Sequence, residues 1–460
     1  MAGAQPLLAA LDVVLRETAL FAAIGFLLLG AGDLLLDLIW IGRSLWRRLT
    51  IYRRHDKATA LSLAPARHPG AIAIFVPAWD EAAVIASMLR HALGGTDHDD
   101  FRLYVGCYPN DPATIAAVRS VADPRLRLVL GPAPGPTTKA DCLNRLWEAM
   151  GEDEDRSGRR FKAVVLHDAE DVVHSAELRV FDALVERFDL VQLPVLPLID
   201  RRSRWIGGHY ADEFAEAHGK ELVVREALGA ALPAAGVGCA ISREALDRLA
   251  AAHGTPFDAD SLTEDYELGL RLRLCGGRAA FVRLPAAPGK PVIATREYFP
   301  ATLAAAVSQK SRWMRGIALC GWDRLGWSGG VAERWMRLRD RQSLLAALIL
   351  AVGYLAFLLW TGRAAATLAG GAPPPRIPQP LQLLLLVNGG LLAWRLAMRA
   401  AFVTRAYGWR EGLRSVPRTL IGNAIAMLAA RQAVMRYVGG RGQAAWDKTA
   451  HAFPVEMPAE

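Results

Sequence analysis

Residues 162 to 181 read KAVVLHDAEDVVHSAELRVF. Four apolar residues, 163 to 166, run directly into His167, Asp168, Glu170 and Asp171. A strand that looks buried but finishes on three carboxylates needs compensation, because an unpaired carboxylate is costly to remove from water. A divalent cation would compensate, as would a basic neighbour or plain exposure. Asp168, Glu170 and Asp171 are hard oxygen donors of the kind that hold Mg2+ or Mn2+ beside a diphosphate. The alternative is an exposed loop with a helix cap at Asp171 or Ser175.

Other groups carry the same double reading. Lys139 follows the proline-rich turn GPAPGPTTKADCLN and, with Asn144, could face the same crevice; equally, Thr138 or Asp141 could cap a helix there. In DADSLTEDYELGLRLRL, Glu264 and Asp265 sit in the first turn of a helix that Thr263 could cap, which suits the helix dipole. The chemical reading makes Asp265 a general base beside an acceptor hydroxyl. In SQKSRWMRG, Gln309, Arg312 and Trp313 are spaced i, i+3 and i+4 and share one helical face. Arg312 could stabilise a leaving diphosphate and Trp313 could stack on a sugar; an amphipathic helix at lipid headgroups would use the same residues. Asp212, Glu213, Glu216, His218 and Lys220 could line an acceptor cleft, with His218 by itself reading as a surface histidine.

The elements that must position these groups follow from the apolar pattern. Residues 71–77, 101–109, 126–131 and 162–168 read as strands. Helical patterns alternate with them from Glu81 to Leu93, across TIAAVRSVA and over 140–150, while 151–160, GEDEDRSGRR, reads as a solvated loop. Such alternation predicts an α/β domain with a mostly parallel sheet. Ligands of these sheets bind beyond the carboxyl ends of the strands. Asp80–Glu81, Asn110–Asp111 and Asp168–Asp171 all fall at such ends, and this convergence predicts a site.

Three apolar stretches flank this region: 19–42, 344–361 and 381–398. Each approaches the roughly 20 residues a membrane span requires. Asp33 and Asp37 share a face of the first and should point at protein or water. That stretch lacks the basic leader of a cleavable signal peptide. Basic residues in 43–54, 333–341 and 395–410 place these segments in the cytoplasm by the positive-inside rule, with loop 362–380 outside. The division expected is a first span to 42, a cytosolic domain over 43–299, interfacial helices over 300–341, two spans over 342–400 and a cytosolic tail over 401–460. Residues 417–437 read as a helix on the membrane surface, or as a fourth crossing. A net charge of +8 on 460 residues is too small to argue for nucleic acid. Five widely spaced cysteines read as reduced core residues, without a zinc or disulfide pattern.

Taken in order, the clusters resemble the inverting, membrane-integrated glycosyltransferases of family 2. VPAWDEA, with Pro77, Asp80 and Glu81, resembles the family's opening V-P-A-x-N/D-E; DAED resembles its D-x-D, with Glu170 in place of the commoner second Asp; TED and QKSRW match the base motif and Q-x-x-R-W. YVGCYPND, HDAED, HYADEFAEAHGKELVVRE, AAGVGCAISR and LTEDYELGLRL look like versions found in the bacteriophage adsorption protein B group. The resemblance implies a GT-A-type (Rossmann-like) fold, an inner-membrane enzyme and a role in exopolysaccharide synthesis under cyclic di-GMP control, some members also serving phage infection. It further implies nucleotide-sugar binding by Pro77, Asp80, Glu81, Asn110, Asp111, Lys139 and Asp168, with a UDP donor. Mg2+ or Mn2+ would be held by Asp168, Glu170 and Asp171, and catalysis carried by Asp265 with Glu264, Gln309, Arg312 and Trp313. A glycan acceptor and a separate export partner are expected. Many relatives continue past the position of Glu460 into a nucleotide-sensing domain, so direct cyclic di-GMP binding is not expected here. The rival readings are a non-catalytic membrane scaffold with this fold, and a lipid-linked sugar transferase.

Overall fold

The computed structural model describes residues 4–370, 373, 376–440 and 451–454. Its centre is a seven-stranded sheet: β1 (Ile72–Pro77), β2 (Phe101–Cys107), β3 (Leu126–Leu130), β4 (Ala163–Leu166), β5 (Leu190–Gln192), β6 (Cys239–Ser242) and β7 (Ala279–Phe281). The spatial order is β3-β2-β1-β4-β6-β5-β7, and only β6 runs against the others. β1 is buried along its whole length. Alternate side chains of such a strand must feed two cores. Ile72, Ile74 and Val76 enter one hydrophobic cluster and Ala73 and Phe75 the other. The parallel pairing of β1 with both β2 and β4 brings their carboxyl ends to one edge.

Helix Lys139–Ser157 runs seven residues beyond the predicted 150 and replaces the expected solvated loop. Two acids of 151–157, Asp153 and Glu154, are held by cations of the fold. Asp153, 4% exposed, accepts from the Tyr104 hydroxyl at 2.8 Å and pairs with Arg127 at 2.7 Å, while Glu154 pairs with Arg243 at 2.9 Å. Gly158 at φ 65° ends the helix in the left-handed conformation that favours glycine.

Among the described residues, three helices are long and apolar enough to cross a membrane: Ala9–Thr50, part of a helix that begins at Ala4, Ser343–Leu368 and Gln379–Tyr407. They mark the chain as a membrane protein. Asp33 and Asp37 face protein. Asp37 pairs with Lys220 at 2.6 Å and accepts from the Trp394 indole at 2.9 Å; Asp33 pairs with Arg339 at 2.9 Å and with Arg395. Lys220 also meets Glu216, which meets Arg399 at 2.9 Å. The buried charges therefore tie membrane helices to the sheet domain. Helix Trp409–Val438 covers residues 417–437 and packs Ile425 against Tyr210 and Ala306. Its Arg418, 1% exposed, pairs with Asp212 at 2.7 Å and Glu411 at 2.9 Å. Part of the proline-rich 362–380 loop, and 441–450 and 455–460 of the tail, lie outside the described residues.

Candidate active site

The loops after β1, β2, β3 and β4 meet beyond one edge of the sheet. After β1, Asp80 takes φ 53°, and its N–H donates to Asp111 Oδ2 at 2.6 Å. The other oxygen of Asp111 caps helix Pro112–Arg119 by accepting from Thr114 N–H at 3.1 Å. The Thr114 hydroxyl in turn accepts from Glu81 N–H at 2.9 Å. This closed set of bonds fixes the turn that aims Glu81. Asn110 pins the turn before Lys139, donating to Gly135 carbonyl at 2.8 Å and accepting from its N–H at 2.7 Å. Tyr108 and Trp79 pack against the same turn, and a Cβ at Gly135 would lie 2.6 Å from the Tyr108 ring. Thr138 then caps the helix that starts at Lys139, accepting from Asp141 N–H at 3.1 Å.

Lys139 reaches Asp168 at 2.5 Å. Burial disfavours its charge, but the carboxylates of Asp168, Glu264 and Asp265 outweigh this and hold the ammonium protonated above its ordinary range. The strand end is compensated from behind as well. His167 is 1% exposed and sits 2.8 Å from Glu177 and 3.4 Å from Asp171. Burial opposes its protonation, yet the two flanking acids push it up to about 10. Asp171 is wholly buried, accepts from Asp168 N–H at 2.9 Å and faces His167, not the crevice. It shapes the turn and is not among the residues that line the cavity described next.

A cavity of about 310 Å³ opens over these loops. Pro77, Glu81, Lys139, Asp168 and Glu170 line one side. Glu264, Asp265, Gln309, Arg312 and Trp313 line the other, so residues up to 236 positions apart share one space. Asp80, Asn110 and Asp111 are not among the lining residues; Asn110 and Asp111 use their side chains in the turns just described, and Asp80 enters them through its N–H. Asn144, expected in the crevice, is buried and bonded to Phe257 through both its amide groups. Of the five residues suggested for an acceptor cleft, only His218 lines the cavity. It is buried rather than superficial, and its Nδ1 accepts from Val195 N–H at 2.9 Å. Burial, with Arg283 nearby, lowers its pKa to about 3 and leaves the ring neutral. Asp212, Glu216 and Lys220 hold helices together, and Glu213 pairs with Lys310 at 2.5 Å.

Thr263 stands at the N-cap of helix Glu264–Leu274, but its hydroxyl makes no capping bond. Asp265 accepts the Tyr266 N–H at 2.7 Å. Burial raises the Asp265 pKa against the pull of Lys139 and Arg312, and burial with Asp265 beside it raises Glu264 to about 7. Gly236, at φ 78°, packs against Asp265: a Cβ there would lie 2.6 Å from Oδ2. Gly316, four residues beyond Arg312, lets its helix approach Thr263, where a Cβ would meet Oγ1 at 2.6 Å. Trp313 is set by edge contacts with Tyr210 and Phe299, with ring centroids at 6.0 and 6.4 Å.

Two cavity residues were not read from the sequence. Glu297 lies in a segment bridged to Val195 and Leu198 through its neighbours, with no motif to mark it. His451 arrives from beyond the last long helix and sits 2.9 Å from Glu81 and 3.2 Å from Glu170. Glu170 is 4% exposed, and its Oε2 has no hydrogen-bond partner among the described residues. Burial, Asp168, Glu297, Glu81 and Asp171 all push its pKa well up. A buried acid with an orphaned oxygen amid other acids fits a divalent cation.

Sheet order and motif placement define a class, and the comparison with known families agrees. Residues 68–316, over half the chain, match the family described as glycosyltransferase like family 2, and the chain belongs to that family, with a GT-A-type fold. Among curated proteins it is 37% identical over 473 residues to bacteriophage adsorption protein B of Escherichia coli K12, and equally to bacteriophage N4 adsorption protein B of E. coli O157:H7. The alignment covers 96% of this chain and 62% of each relative, so the chain spans under two thirds of their length. Similar solved structures include the mannosyltransferase PcManGT of Pyrobaculum calidifontis with GDP-Man and Mn2+, at 17% identity and TM-score 0.49 over 88% of this chain and 99% of that one. Another is S. aureus TarS 1-349 with UDP-GlcNAc, at 12% identity and TM-score 0.35 over 80% and 92%.

Proposed function

We propose that this chain is an inner-membrane, inverting glycosyltransferase that moves a sugar from a UDP-linked donor to a hydroxyl of a growing exopolysaccharide or similar glycan. The observation that carries the reading is the shared cavity, in which Asp265 faces the Lys139–Asp168 pair and Arg312. Asp265 takes the proton from the acceptor hydroxyl as its oxygen attacks the anomeric carbon. Its raised pKa keeps it basic enough for the task, and general-base help of this kind contributes about 10²–10⁴ in rate. Arg312 offsets the charge that grows on the departing diphosphate, and Trp313 offers an aromatic face to a sugar. Lys139 orients Asp168 and adds positive charge toward the donor. Glu81 and Asp168 bind the nucleoside side of the donor, and Asp80, Asn110 and Asp111 shape the turns that present them. Glu170 and Asp168 would hold Mg2+ or Mn2+, whose positive charge would favour departure of the diphosphate. Asp171 and His167 hold that turn from behind. The phage-adsorption names of the relatives fit a protein whose polymer, or whose partners in exporting it, are exposed at the cell surface.

The test is a donor screen. Purified protein in detergent or membranes is given UDP- and GDP-sugars with Mn2+, and nucleoside diphosphate release and labelled polymer are measured. One UDP-sugar should be turned over well above the rest. Absence of turnover with every donor, together with tight UDP binding, would support a non-catalytic scaffold instead.

A further inference from the structure

Residues 451–454 lie on the sheet domain although they follow the last long helix in sequence. Pro454 is buried, and Phe453 packs against the hydrophobic cluster that contains Ile74 and Val76. Its ring centroid is 6.2 Å from that of His91. This anchor holds His451 at the cavity, where Nδ1 is 2.9 Å from Glu81 Oε1 and 3.2 Å from Glu170 Oε1. The three potential ligand atoms all lie within 4.8 Å of one another. A six-coordinate cation with bonds of roughly 2.1 Å keeps adjacent ligands about 3 Å apart and opposite ones about 4.2 Å apart. Both measured separations match adjacent ligands. Independently, the orphaned Oε2 of Glu170 is buried at the same place, with no hydrogen-bond partner among the described residues.

We propose that His451 is a ligand of the donor-site cation, completing with Glu170 and Glu81 a three-residue site to which the docked C-terminal segment contributes a nitrogen. This rests on the reading above that a divalent cation binds there. It moves the centre of the metal site from the Asp168–Glu170–Asp171 turn toward Glu170, takes Glu81 from the nucleoside side of the donor to the cation, and makes an occupied site depend on residues 451–454. An imidazole ligand also favours later transition metals over Mg2+, which prefers oxygen. The burial of Glu170 among other acids, which disfavours its ionised form, is relieved by a bound cation.

The test uses the full chain in detergent with Mn2+ and UDP. Pulsed electron paramagnetic resonance should show nitrogen coupling to bound Mn2+ that disappears in His451→Ala. Calorimetry should show Mn2+ affinity falling at least about tenfold in His451→Ala, with Co2+ affinity falling further than Mg2+ affinity. Phe453→Ala, which leaves every ligand in place but weakens the anchor, should lower Mn2+ affinity in the same direction. Unchanged Mn2+ affinity in His451→Ala, or nitrogen coupling that persists in it, overturns the proposal. If Glu170→Gln then still loses Mn2+, the donor-site cation stands without His451. If Glu170→Gln also keeps full Mn2+ affinity, the underlying cation reading fails as well.

Discussion

Gly236→Ala should damage catalysis without replacing any polar group of the site. Gly236 has φ 78°, a conformation that costs an L residue about 1–2 kcal/mol. A Cβ there would lie 2.6 Å from Asp265 Oδ2 and 3.3 Å from its Cβ, whereas ordinary contact begins at 3.4 Å. The carboxylate must therefore retreat by about 0.8 Å, and a displacement of roughly 1 Å at a reacting group can cost about 10²-fold in rate. The variant should lose 1–2 kcal/mol of stability, roughly, and kcat should fall by about two orders of magnitude while UDP affinity stays within about twofold. Thermal melting, calorimetry with UDP and a transfer assay measure the three quantities. Wild-type kcat in a folded variant would mean that Asp265 is not the base. Loss of UDP affinity with kcat retained would move Asp265 to the donor side.

Arg418→Met should leave Asp212 and Glu411 without their buried cation and lower stability by about 3–5 kcal/mol, seen as a lower melting midpoint in detergent. His218 titrates at about 3 in the folded protein and near 6.5 when unfolded, so the unfolded state binds more protons between these values. Its contribution to stability is complete above pH 6.5 and is lost as pH falls toward 3, at up to about 1.4 kcal/mol per unit. His218→Gln should flatten the wild-type loss of melting temperature between pH 6.5 and 5, whereas parallel curves would argue against a neutral buried ring. A reporter fused near residue 370 should read as outside the cytoplasm and one near residue 200 as inside; matching signals would contradict the three-span topology.

The sequence made the first half of the sheet legible because β1, β2, β3 and β4 are each preceded or followed by a helical pattern and two of them, β1 and β4, are continuous apolar runs. β5 and β7 have three residues each, too few for periodicity to speak. Helix Lys139–Ser157 reads too short in the sequence because its last two turns look solvated in one dimension, while Arg127 and Arg243, which neutralise Asp153 and Glu154, lie far away in sequence. Strand-end acids were rightly gathered at one edge of the sheet, but their types could not separate a ligand from a cap. Asp111 caps a helix, Asp171 faces His167, and Glu170 opens on the cavity, although all three are acids after an apolar run. His451 had no local signal. Its place depends on Phe453 finding a groove that only the folded sheet provides.

In the proposed mechanism Asp265 acts on the acceptor and the Asp168–Glu170 turn on the donor. The direct measurement is a side-by-side assay of Asp265→Asn for UDP-sugar affinity with Mn2+ and for sugar transfer. The substitution keeps size and hydrogen-bonding capacity and removes the base. Donor affinity should stay near wild type, with kcat reduced by about 10²–10⁴. Full transfer by Asp265→Asn would contradict that mechanism and pass the role of base to Glu264.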